Sequence, residues 1–214
     1  MSIKKKYEPK KIDDIVVEDP ATKQRLADYA DGLRTGHVLM HGPKGTGKSS
    51  AARVISDTLT GGGMGTFSES YEGATFKESD FARILKDWSW QLSQGVAAPV
   101  TVINEVDLLP PALLEKLKAF MDEKEHIGQI IATTNNPHRL SPAHQDRFDV
   151  IEMPALSPDA FAPRIRQIFD GECEGTDISD DQLRDILDTT NGSWRDAISA
   201  TEDGVVAINR KPKP

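Results

Sequence analysis

The chain has 214 residues and a formal net charge of −8 at pH 7, with 37% hydrophobic and 28% charged residues. This composition is ordinary for a globular protein, and the negative charge argues against a molecule that attracts nucleic acid over its whole surface. No stretch approaches the ~20 apolar residues that cross a bilayer, no apolar run follows the N-terminal lysines, and Cys173 is the only cysteine. We therefore expect a cytoplasmic protein without a membrane span, a secretory signal, an intramolecular disulfide or a cysteine-based zinc site.

Apolar periodicity predicts helices that alternate with short strands up to about residue 153. Three of the predicted helices begin at Pro20, Lys48 and Pro111, and a fourth spans 79–92. The predicted strands span 37–41, 100–103, 127–133 and 150–153. Residues three or four apart are predicted to form the buried face of the first helix: Leu26, Tyr29, Ala30 and Leu33. Strands separated by helices indicate an α/β fold with a mostly parallel sheet covered on both faces.

The pattern changes after Pro154, where three helices are predicted with no strand between them, over 158–169, 179–189 and 193–206. The chain is therefore predicted to divide into an α/β domain over 1–155 and a small helical lid domain over 156–208. A disordered tail is predicted over 209–214. The glycine-rich stretch 61–65 predicts a flexible loop, because glycine loses much entropy when it is ordered.

The strongest motif lies between the first predicted strand and the helix that follows it. Its fixed positions, Gly42, Gly47, Lys48 and Ser49, all match the P-loop pattern. The complete segment is Gly42, Pro43, Lys44, Gly45, Thr46, Gly47, Lys48 and Ser49. In such a loop, backbone N–H groups surround phosphate oxygens at the positive end of a helix. The motif predicts that Lys48 contacts the β- and γ-phosphates of ATP and that the Ser49 hydroxyl binds Mg²⁺.

A second motif follows the strand over 100–103, where Asn104 and Glu105 occur. Glu105 is a candidate general base that polarises the attacking water, and the alternative is a solvated turn carboxylate. A P-loop protein is expected to carry an aspartate at position 104 that orients Mg²⁺. Asn104 brings no charge there, so we predict weaker Mg²⁺ affinity and slower ATP hydrolysis.

With these motifs the chain resembles an AAA+ ATPase of the clamp-loader branch, which includes small subunits of replication factor C and phage clamp-loader ATPases. The resemblance runs from about Tyr7 to Ala200. It begins with a stretch over 6–16 that is similar to the family's opening box, although Glu8 stands where the family has arginine. It implies a P-loop parallel-sheet domain followed by a three-helix lid, with Tyr7 and Val16 at the nucleotide.

The resemblance also implies three further roles. Asn135 resembles sensor 1 beside the γ-phosphate, and the alternative is an Asn-Asn-Pro turn. Arg147 resembles the arginine finger that reaches the ATP of a neighbouring subunit, and the alternative is a surface ion pair with Asp146 or Asp149. Arg195 resembles sensor 2, which contacts the phosphates of its own subunit, and the alternative is an ordinary arginine on a helix surface.

These similarities imply an ATPase subunit of a sliding-clamp loader or a closely related replication ATPase. The implied partners are other AAA+ subunits in a homo- or hetero-oligomer, a sliding clamp and primer–template DNA, with no membrane. One alternative is an AAA+ loader for a helicase or a transposition complex. Another is a scaffold subunit that binds ATP without hydrolysing it, which Asn104 favours and which Glu105 and Asn135 argue against.

Overall fold

A computed structural model describes residues 2–61, 69–173 and 178–210. Its centre is a five-stranded sheet with the order β2-β3-β4-β1-β5, in which all neighbouring strands are parallel. The strands are β1 (Val38–His41), β2 (Ser70–Glu72), β3 (Val100–Asn104), β4 (Gln129–Thr134) and β5 (Asp149–Glu152). The predicted α/β fold with a parallel sheet is confirmed, and the carboxyl ends of the strands meet at one edge.

Nine α-helices lie in the described part of the chain. They are α1 (Ile3–Lys6), α2 (Pro20–Ala30), α3 (Lys48–Leu59), α4 (Glu78–Ser93), α5 (Pro111–Lys124), α6 (Pro142–Gln145), α7 (Ala162–Glu172), α8 (Asp180–Asp188) and α9 (Trp194–Arg210). None of the helices that the structure describes is both long and apolar enough to cross a membrane.

Helices cover the sheet on both faces, as the buried character of its strands requires. One core packs α2 and α3 against the sheet, and it includes Leu26, Val54 and Ile131. The other packs α4 and α5 against the opposite face, and it includes Trp88 and Met121. Side chains of β4 are buried on both faces, so the sheet is a fixed base for the loops at its edge.

Two differences from the predicted elements have local causes. Leu33 is 76% exposed, because α2 ends at Ala30 and the chain turns through Gly32, which has a φ of +69°. The prediction that Leu33 is buried is therefore wrong. Strand β2 was not predicted, since it has three residues and only Tyr71 is buried among them. It forms an edge of the sheet beside β3.

The C-terminal helices form a core of their own around Phe161, Phe169 and Ile198. Ile3 of α1 also belongs to this core, so the first residues of the chain pack with the last helices. The division of the chain at residue 155 stays a prediction. Helix α9 extends to Arg210, so residues 209 and 210 belong to a helix rather than to the predicted tail. Residues 211–214, and residues 62–65 of the predicted glycine loop, lie outside the described residues.

Candidate functional site

The P-loop connects β1 to α3 at the carboxyl edge of the sheet. Gly42 has a φ of +145°, and a Cβ atom there would lie 2.0 Å from the backbone oxygen of Met153. Gly47 precedes α3 with a φ of +92°. Both positions need glycine, because L side chains rarely adopt such backbone angles. The loop therefore presents its backbone N–H groups at the positive end of α3, which suits an anion.

Lys48 is the first residue of α3, and its side chain folds back over the loop. Its Nζ atom donates hydrogen bonds to the backbone oxygens of Gly42 at 2.8 Å and Pro43 at 2.6 Å. Burial and the nearby Arg195 guanidinium lower the pKa of Lys48 to about 8, and the Glu105 carboxylate opposes this shift. In the described residues neither Lys48 nor Arg195 forms a salt bridge with a carboxylate. The Lys48 and Arg195 cations therefore lie near each other, and an anion bound between them would stabilise both.

Polar side chains at the ends of β3 and β4 form a continuous set of hydrogen bonds. The backbone N–H of Glu105 donates to Thr133 Oγ1 at 3.2 Å, and that hydroxyl donates to Asn104 Oδ1, also at 3.2 Å. Asn135 Nδ2 donates to Glu105 Oε1 at 3.4 Å. Glu105 itself has a φ of +49°, an uncommon backbone conformation for a residue other than glycine. These contacts hold the Glu105 carboxylate beside the Asn135 amide.

These groups surround a cavity of about 270 Å³. Its wall brings together predicted site residues from five separate segments of the chain: Tyr7, Lys48, Glu105, Asn135 and Arg195. The loop residues Lys44, Gly45, Gly47 and Ser49 also line it. A space of this size, with cations on one side and a carboxylate and an amide on the other, suits a phosphate-bearing ligand and a water.

Three predicted site residues, Val16, Thr46 and Asn104, line neighbouring pockets rather than this cavity. Val16 lines a small adjoining pocket with Gly47 and Trp194. Asn104 lines a neighbouring cavity of about 300 Å³, together with Ser49 and Ser50. Because Ser49 and Ser50 line both cavities, Asn104 approaches the site from the side where Ser49 is predicted to bind Mg²⁺.

The start of α9 lies directly on the P-loop. The backbone N–H of Trp194 donates to the Gly45 oxygen at 2.9 Å. A Cβ atom on Gly45, whose φ is +84°, would lie 2.0 Å from Ser193 Oγ. This close approach of the two segments places Arg195, the next residue along, on the wall of the cavity.

Arg147 lies apart from the cavity. Its Nε and Nη2 atoms contact the two carboxylate oxygens of Asp122 at 3.0 and 3.1 Å, and Nη1 donates to the Ala143 oxygen at 2.8 Å. The alternative prediction, a surface ion pair, is thus present, but the partner of Arg147 is Asp122 on α5. Asp149, one of the partners that we named, instead pairs with Arg25 and accepts a hydrogen bond from Tyr29.

The residues near Ser49 fit magnesium. Mg²⁺ prefers oxygen ligands and is commonly held by one or two protein groups together with substrate phosphates. Ser49, Asn104 and Glu105 offer a hydroxyl, an amide oxygen and a carboxylate on adjoining walls. In the described part of the chain, no group of three or more His, Cys, Asp or Glu residues could hold a metal by itself.

Residues 38–155 match the AAA family, described as the ATPase family associated with various cellular activities. The matched segment begins at the first residue of β1 and ends after β5, and it is more than half of the chain. The chain belongs to the AAA family.

Two relatives of this AAA protein are named replication factor C small subunit. The one from Halobacterium salinarum is 27% identical over 198 residues, which cover 92% of this chain and 61% of the relative. The one from Archaeoglobus fulgidus is 27% identical over 206 residues, covering 95% of this chain and 63% of the relative. The chain therefore spans less than two thirds of these relatives. The predicted resemblance to the clamp-loader branch is confirmed as a similarity of sequence.

Solved structures support the same fold. A variant of RuvB from Thermotoga maritima has a TM-score of 0.72 at 21% identity, covering 95% of this chain and 67% of that chain. A chain from a structure described as "Structural Basis for Katanin Self-Assembly" has a TM-score of 0.62 at 21% identity, covering 100% and 79%. The predicted AAA+ architecture, a parallel sheet followed by helices, is confirmed.

The sequence motifs gave no role to two side chains that contact Asn104, Thr133 and Glu72. Thr133 connects Asn104 to Glu105, and its place two residues before Asn135 at a strand end was the available signal. Glu72 accepts a hydrogen bond from Asn104 Nδ2 at 3.1 Å. It lies at the end of β2, for which the sequence carried no apolar pattern.

Proposed function

We propose that this chain is the ATP-binding and ATP-hydrolysing part of a subunit of a sliding-clamp loader or a closely related replication ATPase. The observation that carries the proposal is the cavity that gathers Lys48, Arg195, Glu105 and Asn135 beside a P-loop. The similarity to replication factor C small subunits favours the clamp loader within the AAA family. The domain over 1–155 would bind the nucleotide, and the helices over 156–208 would cover it.

Each residue has a role that follows from its chemistry and position. Lys48 exchanges its two contacts with loop carbonyls for phosphate oxygens, which are stronger acceptors because they are charged. Arg195 reaches the same phosphates from α9. Mg²⁺, when it is bound by Ser49 with Asn104 nearby, supplies positive charge to the phosphates.

Glu105 and Asn135 act on the water that attacks the γ-phosphate. The Glu105 carboxylate accepts a proton from this water, and the Asn135 amide, 3.4 Å from Glu105 Oε1, orients it. Tyr7 and Val16 flank the remainder of the nucleotide. Arg147 completes the site of a neighbouring AAA+ subunit, since it lies outside its own cavity and such an arginine stabilises charge in phosphoryl transfer.

The partners of this subunit would be other AAA+ subunits, a sliding clamp and primer–template DNA. ATP binding would assemble the subunits around DNA, and hydrolysis would release them. A negative net charge of −8 is compatible with this role, because an encircling assembly needs positive charge only on its inner surface.

Steady-state ATP turnover tests this function. We expect turnover per subunit to rise with protein concentration, because Arg147 acts between chains, and to rise further when primed DNA and a sliding clamp are present. Tight ATP binding without turnover under each of these conditions would contradict the proposal. That outcome would support the one alternative that a specific residue favours, an ATP-binding scaffold subunit, since Asn104 lacks the charge of the expected aspartate.

A further inference from the structure

The end of β2 brings a carboxylate next to Asn104. Strands β2 and β3 are parallel neighbours, and Glu72 is the register partner of Asn104. Both residues end their strands at the edge of the sheet that carries the P-loop. Asn104 Nδ2 donates to Glu72 Oε1 at 3.1 Å. Position 104, where an aspartate was expected, therefore has the Glu72 carboxylate as its immediate neighbour.

The hydrogen bonds fix the orientation of the Asn104 amide. Thr133 Oγ1 accepts from the Glu105 N–H, so its own proton is available for Asn104 Oδ1 at 3.2 Å. The opposite end of the amide must then be Nδ2, which donates to a carboxylate that can only accept. Aspartate at position 104 would instead place two carboxylates side by side, and like charges at this distance repel. The Asn104–Glu72 pair carries one negative charge, as an aspartate at position 104 would, but the charge lies on β2 instead of β3.

Glu72 lies on the face that adjoins the magnesium side of the site. Residues two apart on a strand share a face, so Glu72 projects on the same side of β2 as Ser70. Ser70 lines the cavity of about 300 Å³ together with Asn104 and Ser49. Glu72 is exposed, and its side-chain contact in the described residues is made through Oε1. Among the described residues its second oxygen accepts no side-chain hydrogen bond, so it can accept one from water.

We propose that Glu72 supplies the negative charge that orients hydrated Mg²⁺, in place of the aspartate that Asn104 replaces. The inference rests on the proposed function, because it concerns the ion that accompanies ATP. Glu72 is a positioning residue: it acts through Asn104 and through water on the magnesium side of Ser49. With a carboxylate on the adjacent strand β2, Asn104 is no longer expected to weaken Mg²⁺ affinity.

The test compares charge variants by binding rather than by turnover. The affinity of a non-hydrolysable ATP analogue is measured in EDTA and across a Mg²⁺ titration. Glu72→Gln keeps an oxygen that can accept from Asn104 but removes the charge. We expect it to raise the Mg²⁺ concentration for half-maximal effect by about tenfold, as loss of an outer-shell partner commonly does. Glu72→Gln combined with Asn104→Asp returns a carboxylate to β3, and we expect it to restore the wild-type value.

Glu152→Gln is the matched control, because Glu152 is also an exposed glutamate at a strand end but lies on β5, the opposite edge of the sheet. The proposal is overturned if Glu72→Gln needs no more Mg²⁺ than this control, or if the double variant is as weak as Glu72→Gln. A loss of analogue affinity in EDTA would also overturn it, since Glu72 would then support the site structurally. Failure of the wild-type chain to bind the analogue in either condition would instead refute the proposed function.

Discussion

At the scale of single residues, the site is dominated by two cations, Lys48 and Arg195, that form no salt bridge with a carboxylate among the described residues. Lys48 is bound only by backbone and hydroxyl oxygens within the described structure, and Arg195 is close enough to contribute to lowering its pKa. A buried ammonium group without a counter-ion is costly. A triphosphate would remove this cost, so the electrostatics of the site favour binding of an anion.

The lowered pKa of Lys48 predicts a pH dependence of ATP affinity. With a pKa of about 8 in the free protein, Lys48 is charged below pH 8 and neutral above it, and bound phosphates raise the pKa again. ATP affinity should therefore be highest below pH 8 and fall above it, with proton uptake on binding at pH 8.5 to 9 by linkage. Calorimetry in two buffers of different ionisation enthalpy measures that uptake.

Two variants check the origin of this effect. Arg195→Ala removes one cause of the shift, so the pH at which affinity begins to fall should move upward. Lys48→Arg keeps a charge throughout this range and should lose the pH dependence. An ATP affinity of the wild-type protein that stays constant from pH 7 to 9.5 would show that the pKa of Lys48 is not lowered.

At the scale of secondary-structure elements, the contact between the P-loop and α9 couples the nucleotide site to the C-terminal helices. Trp194 donates to Gly45 across this contact, and Arg195 follows at once. A bound phosphate that moves the P-loop should therefore also move the start of α9, and a movement of α9 should displace the P-loop. The rest of α9 packs against α7 and α8, so the movement would reach the whole helical group.

Gly45→Ala should disrupt this contact. Its Cβ atom would lie 2.0 Å from Ser193 Oγ, and the backbone is left-handed. We expect a loss of about 1–2 kcal/mol from the backbone conformation and a further ~1–3 kcal/mol from the overlap. Thermal unfolding measures the loss of stability, and equilibrium binding measures the weaker affinity for ATP.

Gly95→Ala is the control for backbone strain alone. Gly95 has a φ of +85°, almost the same as Gly45, but a Cβ atom there would meet nothing within 4 Å. Gly95→Ala should lose stability from the backbone without losing ATP affinity. If the two variants are equally stable and bind ATP equally well, the contact of α9 with the P-loop does not support the site.

The elements differ in how far the sequence predicted them, and each difference has a physical cause. Seven of the nine helices in the described residues and four strands with strong apolar patterns were predicted within a few residues, and the P-loop has a fixed spacing. Helices α1 and α6 were missed because each has only four residues, too few to show a helical period. Strand β2 was missed because its three residues carry one buried side chain, and its pairing with β3 depends on tertiary contact. The Asp122 partner of Arg147 is 25 residues away, and no local pattern indicates such a pair.

At the scale of the whole molecule, Arg147 is the residue whose proposed role needs a second chain. In the isolated chain it pairs with Asp122 through both carboxylate oxygens. A role at a neighbour's phosphates therefore requires this exposed ion pair to open. The cost is small, because an exposed ion pair in water contributes little to stability. On assembly, Arg147 would then exchange the Asp122 carboxylate for a phosphate bound to the neighbouring subunit.

Mixing two inactive variants tests that role. Lys48→Ala should weaken ATP binding and remove the lysine that acts on the phosphates but leave Arg147 in place. Arg147→Ala should bind ATP but lose the residue that acts in trans. Each variant alone should hydrolyse little ATP, since such an arginine is worth roughly 10³–10⁵ in rate. We expect the mixture to hydrolyse ATP faster than the sum of its parts. A mixture that only equals the sum would place Arg147 in a structural role beside Asp122.

The most direct test of the central claim, that the P-loop cavity binds ATP, is the equilibrium affinity of the purified chain for ATP. It is compared for the wild type, Lys48→Ala and Lys86→Ala, which removes an exposed lysine on α4 outside the site. Loss of a charged hydrogen bond costs about 1.5–3 kcal/mol, so Lys48→Ala should weaken ATP binding by roughly ten- to hundredfold, whereas Lys86→Ala should bind as the wild type does. Equal affinity for ATP in all three proteins would contradict the account.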